Sequence, residues 1–187
     1  MTIPKPWKVL SSRSLYEDPW VRVRGDECET VDSHVLGAYH VFEYRDWTHV
    51  VALDGDDIIL VRQYRHGAGQ ISLELPGGMM DAEDPDPASA AARELLEETG
   101  YSAPSIRLVQ SLSPNPATHA NRLHVSLAEG VILAGDQALD GSEVIEIVKL
   151  TIAEAVAIAL SGGMVQAMHV GLMMIGLQAA GRLKGAV

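Results

Sequence analysis

The alternation of apolar and polar positions changes period several times along the chain, and each change marks an element. Between Trp7 and Tyr44, short runs rich in β-branched and aromatic residues predict strands at Lys8–Leu15, Trp20–Thr30 and Ala38–Tyr44. The more continuously apolar runs Thr48–Leu53 and Asp57–Tyr64 flank Asp54-Gly55-Asp56, a hairpin turn. Ile71–Leu75 is another strand, stopped by Pro76-Gly77-Gly78. The pattern then turns helical over Ala88–Thr99, with Asp86 as N-cap, Pro87 in the first turn and Gly100 as C-terminal cap. Strands follow at Ile106–Ser111, Leu123–Ala128 and Val144–Leu150, then helices over Ile152–Leu160 and from Val165 onward. Strands interleaved with three helices predict an α/β or α+β sandwich around a mixed sheet. A division is expected near Arg45-Asp46, although no linker composition marks it.

Met164–Ala180 is almost uncharged and invites a membrane reading. It falls short of the ~20 apolar residues a span needs, and Gln166, His169 and Gln178 interrupt it, so a buried core helix is expected. The net charge of −11 excludes a basic nucleic-acid footprint and a polybasic membrane surface. Anionic phosphates then require local arginines or metal ions. Aromatics are only 5% of residues, so aliphatic side chains and alanine must fill the core. The lone Cys28 cannot form an internal disulfide, and MTIPKPWKVL lacks the apolar run of a secretory signal; both point to a cytoplasmic protein.

Candidate chemistry concentrates in Arg93-Glu94-Leu95-Leu96-Glu97-Glu98-Thr99-Gly100. On a helix Glu94, Glu97 and Glu98 share one face, where three carboxylates repel unless cations neutralise them. Arg93 reaches Glu97 one turn on, but one cation does not balance three acids. Carboxylate oxygens suit Mg²⁺ or Mn²⁺; a solvated acidic face is the plainer alternative, and the Pro-Gly-Gly turn before the helix favours the metal. His119 and His124 lack the cysteine partners or HExxH spacing of a zinc site. A GxSxG elbow, a Walker loop and a Cys–His pair are all missing from the sequence.

Arg93 to Tyr101 resembles the second half of the Nudix box, G-x5-E-x7-R-E-U-x-E-E-x-G-U, with Leu95 and Tyr101 in its apolar slots. The first half departs from the pattern. Counting from Gly78 puts Asp84 where glutamate is expected, and eight residues rather than seven separate it from Arg93. Glu83 is the alternative carboxylate. Val61-Arg62-Gln63-Tyr64-Arg65 with Leu73-Glu74-Leu75-Pro76-Gly77-Gly78 is similar to the corresponding segment of the ADP-ribose pyrophosphatase branch. Ser113-Pro114-Asn115-Pro116 and Asn121–Ala128 resemble the loop and strand that follow the box there.

The resemblance implies a Nudix α/β/α sandwich with a mixed sheet over 46–187. It implies a small N-terminal antiparallel sheet over 1–45, a dimerisation element in this branch. The implied reaction is Mg²⁺-dependent hydrolysis of the diphosphate of a nucleoside diphosphate sugar, ADP-ribose first, to AMP and ribose 5-phosphate. Another sugar nucleotide such as GDP-mannose, or a catalytically slow nucleotide-binding regulatory module, is the alternative. Metal ligands would be Glu94, Glu97, Glu98 and the Gly77 carbonyl, with Arg93 completing the catalytic set. Glu143, in the late loop Asp140-Gly141-Ser142-Glu143, would be the general base, with Glu146 as second candidate. Arg65, Arg62 and Glu74 would bind substrate, the arginines through bidentate contacts to oxyanions. Trp7 or Trp20 would stack on the base or only pack the interface. The expected partners are the sugar nucleotide and a second copy of the chain, with neither nucleic acid nor membrane.

Overall fold

The computed structural model describes residues 3–141 and 143–183, and the chain divides into two units. One comprises the residues up to Arg45 together with Ser113–Arg122; the other comprises Asp46–Leu112 and the chain from Leu123 onward. Residues 113–122, expected in the C-terminal domain, thus pack with the N-terminal unit.

In the first unit β1 (Lys8–Glu17), β2 (Arg22–Glu29) and β3 (Val35–Glu43) form an antiparallel sheet in sequence order. Leu15 packs so closely over Gly25 that a Cβ there would lie 2.9 Å from its Cδ1. Every residue of β1 is exposed, including Val9, Leu10, Leu15 and Tyr16. Residues 113–122 are tied on by backbone bonds from Phe42 to Thr118 and from Ala120 to Phe42. The His119 ring stacks on Tyr44 and lies against Phe42.

The second unit is built on a mixed sheet. β4 (Trp47–Asp54) lies at its centre, antiparallel to β5 (Asp57–Arg65) and parallel to β10 (Leu123–Glu129). Beyond β10 lies β9 (Ile106–Leu112), beyond β5 lies β12 (Glu146–Thr151), and β6 (Gln70–Glu74) also pairs with β5. Strand alternation sends adjacent residues to opposite faces. Val50, Ala52 and Ile59 meet Ala91 and Leu95 of α1 (Pro87–Thr99) on one face. Val51, Leu53, Ile58 and Leu60 meet α2 (Ile152–Leu160) and α3 (Ala167–Ala179) on the other. At Gly176 a Cβ would sit 2.4 Å from a Val51 methyl, so α3 lies directly on the sheet. No helix among the described residues is long and apolar enough to cross a membrane.

The differences from expectation are small and physical. Gly77–Met79, read as the end of a turn, forms β7 against Trp47–His49. β8 (Tyr101–Ser102) and β11 (Ile132–Leu133) are two-residue partners too short for any periodic signal. β12 begins at Glu146 rather than Val144, which is exposed.

Candidate active site

Helix α1 begins where Asp86 accepts hydrogen bonds from the Ala88 and Ser89 amides, both at 2.9 Å. It ends at Gly100, whose φ of 70° and approach to the Gly135 carbonyl exclude a side chain. With Ala91 and Leu95 buried on the sheet, the helix carries Glu94 and Glu98 towards β7. Glu98 is 5% exposed, and its Oε2 accepts a 2.8 Å bond from the Gly77 amide. Glu94 lies over Gly78, where a Cβ would stand 2.8 Å from its Oε1. Gly77 has φ 148°, and a Cβ there would lie 2.2 Å from the Thr48 carbonyl oxygen. Close approach to backbone thus requires glycine at Gly77, whereas at Gly78 it is the end of the Glu94 side chain that would have to give.

Burial pushes the Glu98 carboxyl up to about 8, although the Gly77 bond acts the other way. Burial likewise brings Glu94 to about 7, against the pull of Arg93. The charge of Glu143 raises both further, so the late loop stands within electrostatic reach. Glu143 itself is exposed, and its carboxylate accepts a 3.1 Å bond from the Asp140 amide. Ser142 lies outside the described residues.

Arg93 is held on several sides. Its Nε and Nη2 bond Asp84 at 3.2 and 2.9 Å, and its Nη1 bonds Glu94 at 3.0 Å and Glu97 at 2.9 Å. Asp84, rather than the exposed Glu83, is therefore the loop carboxylate that meets Arg93. Glu97 is 42% exposed and turned to Arg93. Among the described residues no three His, Cys, Asp or Glu side chains converge into a ready-made metal cage. The three glutamates on one helix face are divided: Glu94 and Glu98 border the glycine turn, while Glu97 meets only the guanidinium that it shares with Glu94.

Arg65 and Glu74 come together as a fork, with Nε–Oε1 2.9 Å and Nη2–Oε2 2.6 Å. Glu74, expected to bind substrate, is fully buried. Burial works against its ionisation, but hydrogen bonds from His169 and Arg65 prevail and hold the carboxyl below the usual range. Its oxygens are thereby occupied, and it orients Arg65 instead of facing a ligand. Arg65 feels the charges of Glu98 and Glu143. Arg62, by contrast, pairs across strands with Glu146 at 2.8 Å. His124 bonds Ser111 at 2.7 Å and Asp46 at 3.2 Å, and the ring stacking of His119 leaves the two histidines in separate settings. Trp7 packs edge-on to Tyr39, and Trp20 is exposed.

The NUDIX domain family matches residues 43–167. The chain belongs to the Nudix hydrolase family. Residues 7–42 match the nucleoside diphosphate sugar hydrolase N-terminal domain. A methanol dehydrogenase activator of Bacillus methanolicus is 25% identical over 79% of this chain and 80% of its own length. An ADP-ribose pyrophosphatase of Bacillus subtilis is 31% identical over 58% of each chain, so that alignment spans less than two-thirds of the relative. The crystal structure of an ADP compounds hydrolase superposes with a TM-score of 0.80 over 98% of this chain and all of that one, at 19% identity, and shows the same fold.

Nudix hydrolases generally use divalent metals. The donor chemistry here fits one. Two desolvated carboxylates beside a glycine turn are hard oxygen donors that gain from a cation, and Mg²⁺ needs only one or two carboxylates alongside water and phosphate oxygens. Sequence reasoning did not single out His49, Ser72 or His169, which gather beside Glu74. His169 is visible only as a polar interruption in an apolar helix, and nothing local marks the other two.

Proposed function

We propose that this Nudix hydrolase cleaves the diphosphate of a nucleoside diphosphate sugar in the presence of Mg²⁺, with ADP-ribose the first substrate to test. The observation that carries this reading is the Glu94–Glu98 pair pressed against Gly77-Gly78, with Arg93 anchored by Asp84. Glu94, Glu98 and the Gly77 carbonyl, with Glu97 at the edge, would hold Mg²⁺, which would supply charge to offset the phosphates and lower the pKa of water. Arg93 holds Glu94 and Glu97 in place. Arg65, oriented by Glu74, grips a phosphate oxygen. Glu143 takes a proton from the attacking water; the new P–O bond forms as the bridging P–O bond breaks, and the leaving phosphate takes the electron pair. From ADP-ribose the products are AMP and ribose 5-phosphate.

The B. subtilis relative's name and the N-terminal domain match support this substrate class. The fully exposed, partly apolar edge strand β1 supports pairing with a second copy. The single buried cysteine is consistent with a cytoplasmic setting. One observation favours a second reading, a slow regulatory module: the relative aligned over 80% of its length is named an activator.

Product analysis with Mg²⁺ and a panel of sugar nucleotides and nucleoside triphosphates tests the proposal. AMP plus ribose 5-phosphate from ADP-ribose supports it, and preference for another sugar nucleotide changes only the specificity. Absence of turnover with Mg²⁺ or Mn²⁺ would overturn it in favour of the regulatory module.

A further inference from the structure

The Arg65 guanidinium borders a cleft of about 540 Å³ that the Gly77-Gly78 turn also lines. Its side chain is 44% exposed, so packing alone does not fix it. A guanidinium is preorganised for an oxyanion only when a partner holds its fork. That partner is Glu74. Arg65 Nε and Nη2 both face its carboxylate, which leaves Nη1 without a bond among the described residues.

A carboxylate can orient an arginine only if it is itself held. Glu74 ends strand β6, and its Oε2 lies 3.3 Å from Nε2 of the buried His169 on α3. Main chain sets the direction of that ring, because Nδ1 accepts the Leu75 amide at 3.2 Å. A ring nitrogen that accepts carries no proton, so the proton is on Nε2, against the Glu74 carboxylate. His49 of β4, opposite Gly77 in the register, packs edge-on to the same ring, with centroids 4.6 Å apart and planes at 73°. His169 is thus clamped by the Leu75 amide and by His49. The other buried residues of α3 are Leu172, Met173, Gly176 and Leu177. Packing alone calls for an apolar residue at 169, since a buried imidazole loses hydration that only polar partners return.

We infer that His169 is a positioning residue: from α3 it holds Glu74, and Glu74 holds Arg65 so that Nη1 is kept for a phosphate oxygen. Its Nε2 is sealed from solvent, so it acts through Glu74 and not on substrate. The phosphate part rests on the diphosphate reading above.

Two substitutions divide the roles of the ring. His169→Gln carries an amide N–H out to the Nε2 position, whereas His169→Asn carries an acceptor only as far as Nδ1. A ring needed merely to satisfy Leu75 is rescued by Asn; a positioning ring is rescued by Gln. The first readout is Arg65 itself, through NMR relaxation of its Nε–H group in protein without metal or substrate, the signal being identified by its loss in Arg65→Lys. The group is expected to be rigid in wild type and His169→Gln, and its order parameter to fall below about 0.6 in His169→Asn. His169→Leu, which preserves the apolar packing of α3, gives the same loss. Calorimetry with Mg²⁺ and uncleavable α,β-methylene ADP-ribose supplies the second readout. His169→Asn and His169→Leu weaken binding about tenfold, His169→Gln stays within about twofold, and none changes affinity further in an Arg65→Lys background. An Arg65 signal unmoved by Asn and Leu, rescue by Asn instead of Gln, or full weakening in the Arg65→Lys background would overturn the assignment. If the Arg65 signal responds as expected but wild type does not bind the analogue, the hold of α3 on Arg65 is supported and the diphosphate reading falls.

Discussion

Asp84 reaches forward from the loop before α1 to hold Arg93, with Oδ2 2.9 Å from Nη2. The bond holds Asp84 below the usual carboxylate range. Because Arg93 in turn touches Glu94 and Glu97, the shorter acid and longer spacer still anchor the acidic helix. Asp84→Ala is expected to lower kcat about ten- to hundredfold, as loss of a supporting contact around a metal site does, while Glu83→Ala changes it little. Steady-state kinetics on both variants checks this; equal effects would refute the assignment.

The helix glutamates should not be equivalent. Glu94→Gln and Glu98→Gln, at the glycine turn, are expected to reduce kcat at least about a hundredfold. Glu97→Gln, on the exposed side and paired with Arg93, should cost less. Circular dichroism on each variant verifies the fold, and a Glu97 effect exceeding the other two would reverse the division.

Burial of Glu98 has a thermodynamic signature in metal-free protein. Its carboxyl titrates near 8 when folded, against 4.5 normally. Between those values the native state keeps a proton that the unfolded chain has released, so stability falls as pH rises. Its contribution is fully present below about 4.5 and gone above about 8. His49 acts in the opposite sense, since burial lowers it and the unfolded chain binds its proton more tightly. Wild type minus Glu98→Gln cancels that term. The expected difference declines by roughly 2–4 kcal/mol across the window, and thermal melts at pH 5 and 8.5 measure it. A flat difference would contradict the burial effect.

The two adjacent glycines should fail differently. At Gly77 a methyl meets the rigid Thr48 carbonyl, at Gly78 the movable end of Glu94. Gly77→Ala is expected to lower the melting temperature markedly, and Gly78→Ala to leave it near wild type while reducing kcat about tenfold or more. Matched melting and rate measurements separate the two.

The proposed self-association would use β1. Val9→Lys combined with Tyr16→Lys puts charge on exposed positions of that edge strand. Sedimentation should show monomer for the variant and dimer for wild type; a variant dimer would move the interface elsewhere.

Much of this architecture could be read from local chemistry. Asp86, Pro87 and Gly100 bound α1 because capping is local, and the apolar runs at Thr48–Leu53 and Asp57–Tyr64 are strands because both of their faces are covered. What escaped the sequence depends on partners distant along the chain. Glu74 is buried only because Arg65 and His169 arrive from β5 and α3. Gly77–Met79 is a strand only because β4 offers it a backbone edge. Arg62 resembles a phosphate ligand until β12 brings Glu146 opposite it.

The parallel pairing of β4 with β10, Trp47 opposite Leu123, also dictates an order of assembly. The β4–β5 hairpin and the capped helix α1 need only local contacts, whereas β10 must return across a long closed loop. During refolding, helix content should therefore recover ahead of catalytic competence. The central strand, with His49 and its edge for β7, gains its second neighbour only at the slow, nonlocal step.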